Sequence, residues 1–500
     1  MKHILKSVLS EGAKALSLFL SLHLALVPVL VPLVPARAQS IIGGTPGGIT
    51  SRVLYANAGA NLWAVKNQAS AGTTIVVGPG TYTTAMGATN LLKNGVNWLF
   101  LPGSVITNYA DGAINYVAAP FDNSPTGTPG AMKCKIEGDL TVVHRGGVLD
   151  EAFPRGILTV ADPGSEIDFE CNEMLLSAES PIMNCVLVSD CRRTTVRVKH
   201  RMDAAFGPTE LGNPSLANCM WWQAGTFYSK CPLVFTGGRP AFYADGTAAG
   251  NWYADHDWIY CTNATDIVWI NSNNEAKLWL RFQEMVGNTF GGFAQNIQQL
   301  GGKIYLIDFG KIGTFGTSRD AMIVQTGGYL WMRGEKVTTT NRSPFMCQSA
   351  GFSDMQVLEW QDNGPGENLR AWNWGMLGGT NHLHGGRAVL NWGPGYYVTN
   401  LANARANING MTISTRGAAQ STNAPIWVQA GVAGVTNVFV SSSLLLSPWE
   451  QGANSILASS AGTSVLLGGT TVSALTNAHA NITIAAGTLT TDVDYKWVLP

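Results

Sequence analysis

Short apolar triplets recur at a nearly fixed interval in the middle of the chain. Four of them follow one another with a period of about 26 residues, the length of one solenoid coil: Leu278-Trp279-Leu280, Ile304-Tyr305-Leu306, Leu330-Trp331-Met332 and Met355-Gln356-Val357. Their first and third residues are apolar, as in a strand with one buried face. After a less regular stretch, triplets that begin at Met411, Val438 and Val465 are again evenly spaced. Such a period indicates a solenoid of stacked coils.

The residues between the triplets indicate that each coil is built from strands. They are rich in Gly, Asn, Thr and β-branched residues, which disfavour the helix pairs of an α-solenoid. A β-propeller is the main rival, but its blades need about 40 to 50 residues. The sequence therefore predicts an all-β fold, a parallel β-helix over residues 73–485 whose coils stack at about 4.8 Å. Residues 486–500 are predicted to form a C-terminal tail.

Composition and charge argue against nucleic acid as a binding partner. Only 13% of the residues are charged and 57 of the 500 are Gly, which is typical of many short strands and turns. The formal net charge is −1, and the sequence has no strongly basic face. We therefore expect no binding to the phosphate backbone of nucleic acids.

Residues 1–38 have the pattern of a signal peptide. Three lysines precede an apolar run from Leu16 to Val34, and the small-residue site Ala36-Arg37-Ala38 follows it. An uncleaved membrane anchor is the alternative, but His23 and two prolines interrupt the run. We expect an exported protein, secreted or at the cell surface, with no membrane span after cleavage.

Residues 39–72 are predicted to form an N-terminal segment with a short capping helix. From Asn61 to Ala69, Leu62 and Val65 lie on one helical face together with Ala69. A strand is predicted from Thr73 to Val77, before a Gly-Pro-Gly turn. Because the open end of a solenoid must be covered, we expect this helix to cover the first coil.

The eight cysteines all follow the predicted cleavage site. Export and an even count allow disulfides, and Cys185 with Cys191 or Cys219 with Cys231 would be local pairs. Buried free thiols stacked inside the coils are the alternative. No C-x-x-C spacing occurs, which argues against a structural zinc site.

The start of the predicted β-helix resembles a known family. The segments "ANLWAVKNQASAGTTIVVGPGTY" (residues 60–82) and "LLKNGVNWLFLPGSVI" (residues 91–106) are similar to the opening of proteins in the pectin lyase-like superfamily. The resemblance implies a right-handed parallel β-helix whose end is covered by a short helix, and a polysaccharide partner. Calcium as a cofactor is implied by this resemblance alone. The chemistry is left open, because the superfamily includes lyases, hydrolases, esterases and non-catalytic surface proteins.

Two carboxyls are the candidates for catalysis. Hydrolysis of a glycosidic bond needs one protonated and one ionised carboxyl. The Asp-Asp pair and the Gly-His-Gly of the superfamily's hydrolases do not occur in this sequence, and the nearest arrangement is Asp255-His256-Asp257. On a strand, Asp255 and Asp257 point to the same side, about 6 to 7 Å apart, with His256 opposite. A polar turn is the alternative.

The residues that an elimination reaction needs are only partly present in the sequence. A lyase needs a base and cations beside a uronate carboxylate. The segment "DIVWIN" (residues 266–271) is similar to the "VWID" of pectate lyases, but Asn271 and Ser272 replace its acidic and histidine positions. A basic run, for which a solvated face is the alternative, comprises Arg192, Arg193, Arg197, Lys199 and Arg201.

Two histidines in "NHLHGG" have the spacing of metal ligands. His382 and His384 point to the same side of an extended segment. The sequence identifies no third ligand, so it predicts neither a metal site nor a cofactor.

The repeat predicts an outward ladder of side chains. If Leu278, Ile304 and Leu330 point inward, the residue after each points outward, and the outward side chains of successive coils stack. Aromatic rings pack on sugar rings, and Arg pairs with uronate or sulfate groups. The predicted binding residues for an acidic glycan are Trp279, Arg281, Tyr305, Trp331 and Arg333. Stacking that only stabilises the coils is the alternative.

Two classes of function follow from these features. One is a lyase or hydrolase of acidic polysaccharide, with a groove along one sheet. The other is a non-catalytic adhesin or cell-surface scaffold that uses the repeated coils for reach and stability. A role like that of a phage tailspike is disfavoured, because a cleavable signal peptide is unexpected in a virion protein.

Overall fold

A computed structural model of the protein describes most of the chain after residue 51. The described residues are 40–41, 52–84, 90–109, 120–123, 130–146, 156–178, 183–207, 217–237, 240–261, 266–271, 275–289, 295–316, 321–339, 343–363, 372–390, 395–399, 404–415, 425–429, 436–447, 456–468, 470–474, 482–491 and 496–497. The predicted signal peptide, residues 1–38, lies outside them.

These residues form β-strands and one α-helix, α1 (Leu62–Gln68). In chain order the strands are β1 (Ser40–Ile41), β2 (Arg52–Ala56), β3 (Thr73–Val77), β4 (Gly80–Thr84), β5 (Asn97–Tyr109), β6 (Phe121–Asp122), β7 (Lys133–Gly146), β8 (Gly156–Ala178), β9 (Asn184–Asp203), β10 (Asn218–Thr236), β11 (Phe242–Cys261), β12 (Asp266–Ile270), β13 (Ala276–Arg281), β14 (Glu284–Thr289), β15 (Gln295–Gln299), β16 (Lys303–Gly316), β17 (Ile323–Gln325), β18 (Tyr329–Thr339), β19 (Met346–Gln348), β20 (Phe352–Asp362), β21 (Trp374–Met376), β22 (Thr380–His384), β23 (Arg387–Leu390), β24 (Tyr396–Thr399), β25 (Arg405–Asn409), β26 (Thr412–Thr415), β27 (Ile426–Gln429), β28 (Thr436–Ser441), β29 (Leu444–Ser447), β30 (Ile456–Gly468), β31 (Thr471–Ala474), β32 (Ile482–Thr491) and β33 (Lys496–Trp497).

Each coil contributes to three parallel sheets, as β11 illustrates. Its first part pairs with β12, its middle with β13 and its last part with β14. We name these sheets A, B and C in that order. The pairing continues from coil to coil in the same direction, for example from β13 to β16, β18 and β20 in sheet B. The predicted all-β class and parallel β-helix are therefore confirmed.

The register also confirms the inward direction of the first repeated triplets. Leu278, Ile304 and Leu330 lie side by side in sheet B, and all three are buried. They belong to one core cluster that extends along the coils from Leu54 to Leu445. Each buried methylene group contributes about 0.8 kcal/mol of favourable transfer free energy, so this continuous core is the main stabilising feature.

The alignment of the later triplets differs from the prediction. Met355 pairs with Met332 instead of Leu330, because the coil between Leu330 and its partner Ser353 is short. Met411 precedes β26 in sheet C, whereas Val438 and Val465 pair in sheet B. A period-2 pattern looks the same after a shift by one full period, so the sequence alone did not reveal either change.

Helix α1 forms at the predicted position. The side chain of Asn61 accepts a hydrogen bond from the backbone N–H of Ala64 at 3.1 Å, which caps the first turn. Leu62, Val65 and Ala69 join the core, and β3 covers the predicted range Thr73–Val77. In the described part of the chain, no helix has the length and apolar character of a membrane span.

Parallel pairing extends beyond both predicted boundaries of the β-helix. At the N-terminal end, β2 precedes α1 and pairs with β3. At the C-terminal end, β32 pairs with β30 as far as Thr491, and β33 pairs with β31. The short strand β1 runs antiparallel to β2.

All eight cysteines are buried free thiols. The prediction of local disulfides is therefore wrong, and the alternative prediction of buried free thiols is confirmed. Cys185 faces the core from sheet A, and a bend of the coil separates it from Cys191; another separates Cys219 from Cys231. Residues close in sequence therefore enter the core from different sides. Burial raises the pKa of Cys185 and Cys219 well above the usual range and keeps them as unreactive thiols.

Candidate functional site

An open groove of about 530 Å³ lies on the outward face of sheet B. Five successive strands, β9, β10, β11, β13 and β16, supply its walls. Its lining combines aromatic rings and charges from Tyr228, Tyr253, Trp279, Arg193, Arg197, Lys230, Arg281 and Asp255. These side chains include four cations and one carboxylate.

The register of sheet B aligns the aromatic side chains. Tyr228, Tyr253, Trp279 and Tyr305 are successive partners, and the residue before each of them is buried. Their ring centroids are 4.9, 4.8 and 5.1 Å apart, with interplanar angles of 15°, 14° and 9°. The predicted outward ladder is therefore present, and it begins two coils earlier than Trp279.

After Tyr305 the ladder moves to a different position along the strand. Trp331 pairs with Tyr305 in the backbone register, but the next ring in contact is Tyr329, at 5.7 Å. Tyr329 stacks on Phe352 at 5.3 Å, and Phe352 meets His382 edge to face at 4.9 Å. The rings of Tyr305 and Trp331 therefore do not form the predicted stack.

Stacking within the ladder determines which parts of its aromatic rings a ligand can contact. Both faces of the Tyr253 and Trp279 rings pack against neighbouring rings. The groove is therefore lined by ring edges, which carry partial positive charge, and by hydroxyl groups. Sugar oxygens and carboxylates fit this surface better than the apolar faces of sugar rings.

The four cations of the groove differ in whether a carboxylate of the protein neutralises their charge. Arg193 lies 3.1 Å from Asp168, Arg197 lies 3.5 Å from Glu170, and Lys230 lies 2.7 Å from Asp255. Arg281 is exposed and forms no ion pair with the residues that the structure describes. Its guanidinium is therefore the groove cation most available to an anionic ligand.

The two candidate catalytic carboxyls have different surroundings. Asp255 lines the groove and pairs with Lys230, whereas Asp257 is exposed and does not line the groove. His256 points into the core, as predicted, where its ring nitrogens lie 3.1 Å from the Ser229 hydroxyl and 3.2 Å from the Cys231 carbonyl. Burial lowers the pKa of His256 to about 4, which leaves a neutral ring inside the core.

The predicted binding residues fall into two groups. Trp279 and Arg281 line the groove. Tyr305, Trp331 and Arg333 lie farther along the same face, outside the groove lining. The guanidinium of Arg333 is 3.7 Å from the carboxylate of Asp308, and both side chains are largely exposed.

The basic run on β9 is paired with the preceding coils. Arg192 contacts Glu166, Lys199 contacts Asp139 and Glu170, and Arg201 approaches Glu173. Together with the ion pairs of Arg193 and Arg197, these contacts make the run a largely neutralised, solvated face. Exposed pairs of this kind contribute about 0 to 1 kcal/mol each, so they are weak evidence for either stability or function.

Sequence reasoning missed two aromatic residues of the groove, Tyr228 and Tyr253. Tyr253 lies one coil before Trp279 and Tyr228 lies two coils before it, and each follows a buried aromatic residue. Counting back 26 residues from Trp279 reaches Tyr253, and a further 25 residues reaches Tyr228. The repeat itself was therefore the signal that could have found them.

Two arrangements bear on metal binding. Calcium takes about 6 to 8 oxygen ligands, whereas the groove offers one carboxylate, already paired with Lys230. The groove residues therefore do not fit calcium. Elsewhere on sheet B, Asp354 joins His382 and His384, and one potential ligand atom from each residue lies within 4.8 Å of the other two.

Comparison with known proteins finds no matching family model, no similar curated protein and no similar solved structure. The likeness to the pectin lyase-like superfamily thus depends on residues 60–106 and on the coil architecture.

Proposed function

We propose that this protein is exported and binds an acidic polysaccharide in the groove of sheet B. The observation that carries the proposal is Arg281, an exposed cation beside Trp279 that no described carboxylate neutralises. A guanidinium can bind a uronate carboxylate or a sulfate through two parallel hydrogen bonds.

The rest of the groove supports an extended anionic ligand. Its cations come from successive coils, which repeat at about 4.8 Å, so one chain of sugars would meet several of them. The ion pairs of Arg193, Arg197 and Lys230 are largely exposed, and a ligand carboxylate could replace the protein carboxylates at little cost. The tyrosine hydroxyls add hydrogen-bonding groups for sugar oxygens.

Binding without catalysis, as in an adhesin or scaffold, is the form of this function that we favour. Hydrolysis requires two carboxyls on either side of one bond, but only Asp255 lines the groove and Lys230 engages it. A lyase or hydrolase remains the second candidate, because the groove cations would also stabilise the charge that develops during elimination. Membership of the pectin lyase-like superfamily belongs to this proposal, supported by the opening coil.

Replacement of Arg281 by Gln tests the proposal. Because charge-assisted, bidentate hydrogen bonds are lost, we expect R281Q to bind polygalacturonate or a sulfated glycan about 10 to 100 times more weakly, as measured by calorimetry. R333Q is the matched control, since Arg333 lies on the same face outside the groove. Equal affinities of wild type and R281Q would contradict the proposal.

A product assay separates the two candidates. We expect incubation with a panel of uronate polysaccharides to yield neither unsaturated products nor new reducing ends. Turnover by the wild type that is lost in Asp255→Asn would instead identify an enzyme.

A further inference from the structure

Three potential metal ligands meet on the outward face of sheet B, several coils beyond the groove. Asp354 in β20 pairs with His382 in β22, and His384 follows on the same face of β22. The Asp354 Oδ1 lies 3.4 Å from the His384 Nε2, and the two imidazole centroids are 5.8 Å apart. All three side chains are half-buried.

The strands hold these side chains in place from behind. The inward neighbours Ser353, Met355, Asn381 and Leu383 are all fully buried. Asn381 donates to the Ser353 hydroxyl at 2.6 Å, so the two coils are also joined inside the core. Ligands on such strands are more precisely placed than ligands on loops, which favours a preformed site.

From this geometry we propose that Asp354, His382 and His384 bind a divalent transition-metal ion such as Zn²⁺. Two imidazoles and one carboxylate suit zinc, iron or nickel and do not provide the oxygen ligands that calcium prefers. Three protein ligands leave the fourth position of a tetrahedral ion open, as in zinc sites that accept an exogenous ligand. The sequence did not identify the third ligand because Asp354 lies on the neighbouring coil.

Asn407 provides a second layer for this site. Its side-chain nitrogen Nδ2 lies 2.7 Å from the Nε2 of His382 on the coil that precedes it. After a 180° turn of the amide, which exchanges its nitrogen and oxygen, Oδ1 would accept the Nε2–H and the Nδ1 lone pair would be left for the metal. Metal-bound histidines commonly donate their other N–H to such a partner, so Asn407 is a positioning residue.

Zinc titration of the full chain, without an affinity tag and after treatment with EDTA, tests the proposal. We expect calorimetry to detect a Zn²⁺ site that is removed by His384→Ala and by Asp354→Asn. Asn407→Ala should weaken it about 10- to 100-fold without abolishing it. His200→Ala is the control, because His200 is an exposed histidine on β9, far from the cluster in register, and it should leave the site intact.

Circular dichroism of each variant checks whether the fold is retained. Co²⁺ is a second probe: tetrahedral ligation by nitrogen and oxygen intensifies its visible absorption above that of the hydrated ion, and this increase should be lost in the same variants. The absence of Zn²⁺ binding to the wild type, or equal binding by His384→Ala, would overturn the proposal and leave the Asp354–His384 contact as a side-chain contact between neighbouring coils. Because no polysaccharide is present, the result is independent of the proposed glycan binding.

Discussion

At the scale of single residues, the position of a side chain along its strand determines the environment in which that side chain lies. Asp255, His256 and Asp257 are consecutive, yet Asp255 lines the groove, His256 is buried and Asp257 faces solvent. A titratable triplet that looks like a catalytic motif in the sequence is therefore divided between different environments. The buried ring contributes to stability instead of to the groove.

The buried ring of His256 makes stability depend on pH. Its pKa falls from 6.5 to about 4 on folding because burial disfavours the charged form. Above pH 6.5 the ring is neutral in both the folded and the unfolded state, and its contribution to the free energy of unfolding is fully present. Between pH 6.5 and 4 only the unfolded state binds the proton, so the native state loses stability. From pH 7 to 5 we expect His256 to account for about 2 kcal/mol of lost unfolding free energy.

Denaturant unfolding at several pH values measures this loss. His256→Gln should be less stable than the wild type at pH 7, because its hydrogen bonds change, yet lose less stability on acidification. Part of the slope will remain, since burial also lowers the pKa of His144 to about 4. Identical slopes for the two proteins would show that His256 does not titrate as stated.

At the scale of elements, a ladder of buried glutamines joins the coils. Gln299, Gln325 and Gln348 end the A-sheet strands β15, β17 and β19, and none is exposed. Their side-chain amides donate to the carbonyls of Tyr329, Phe352 and Thr380 at 2.9, 3.0 and 3.0 Å. Each glutamine thus satisfies a backbone acceptor at the start of the B-sheet strand of the following coil, and so joins two coils at the corner between the sheets.

Replacing the central glutamine tests this role. Gln325→Leu leaves the Phe352 carbonyl and the Gln299 Oε1 without this donor, so we expect a loss of about 1–3 kcal/mol in unfolding free energy. Denaturant titration measures the loss. Gln356→Leu, at an exposed position of β20, should change stability far less. Comparable effects of the two substitutions would contradict the ladder's role.

At the scale of the whole molecule, each coil is supported by the coils before and after it. Core contacts and backbone hydrogen bonds both pass between neighbours, as in other solenoids. A coil near either end of the β-helix lacks part of this support. Local opening should therefore cost least at the ends and most in the middle.

Hydrogen exchange can follow this gradient. We expect amides of β13, β16 and β18 to exchange at least tenfold more slowly than those of β2 or β31, read by mass spectrometry of peptides. Leu330→Ala, which opens a cavity in the central core, should accelerate exchange mainly in its own and the adjacent coils. Uniform acceleration along the chain would instead indicate global unfolding as the route of exchange.

Much of the fold could be predicted because the signal is local. Apolar alternation predicted the inward positions of Leu278 and Ile304, and amphipathic spacing with Asn61 as the cap predicted α1. The later triplets were misaligned because coil length varies: the sheet B partners Leu330 and Ser353 lie closer together along the chain than the partners Ile408 and Val440. Loop length at the corners is not encoded in a period-2 pattern.

The sequence by itself determined the parallel β-helix, the inward and outward faces of its strands and the outward position of Trp279 and Arg281, since these follow from side-chain alternation within one strand. Only the tertiary structure decided which outward residues meet across coils. It placed Tyr329 after Tyr305 in the ring ladder, paired Lys230 with Asp255, and brought Asp354 to His382 and His384. These contacts depend on inter-coil register, which the number of residues in each corner sets and which no single strand encodes.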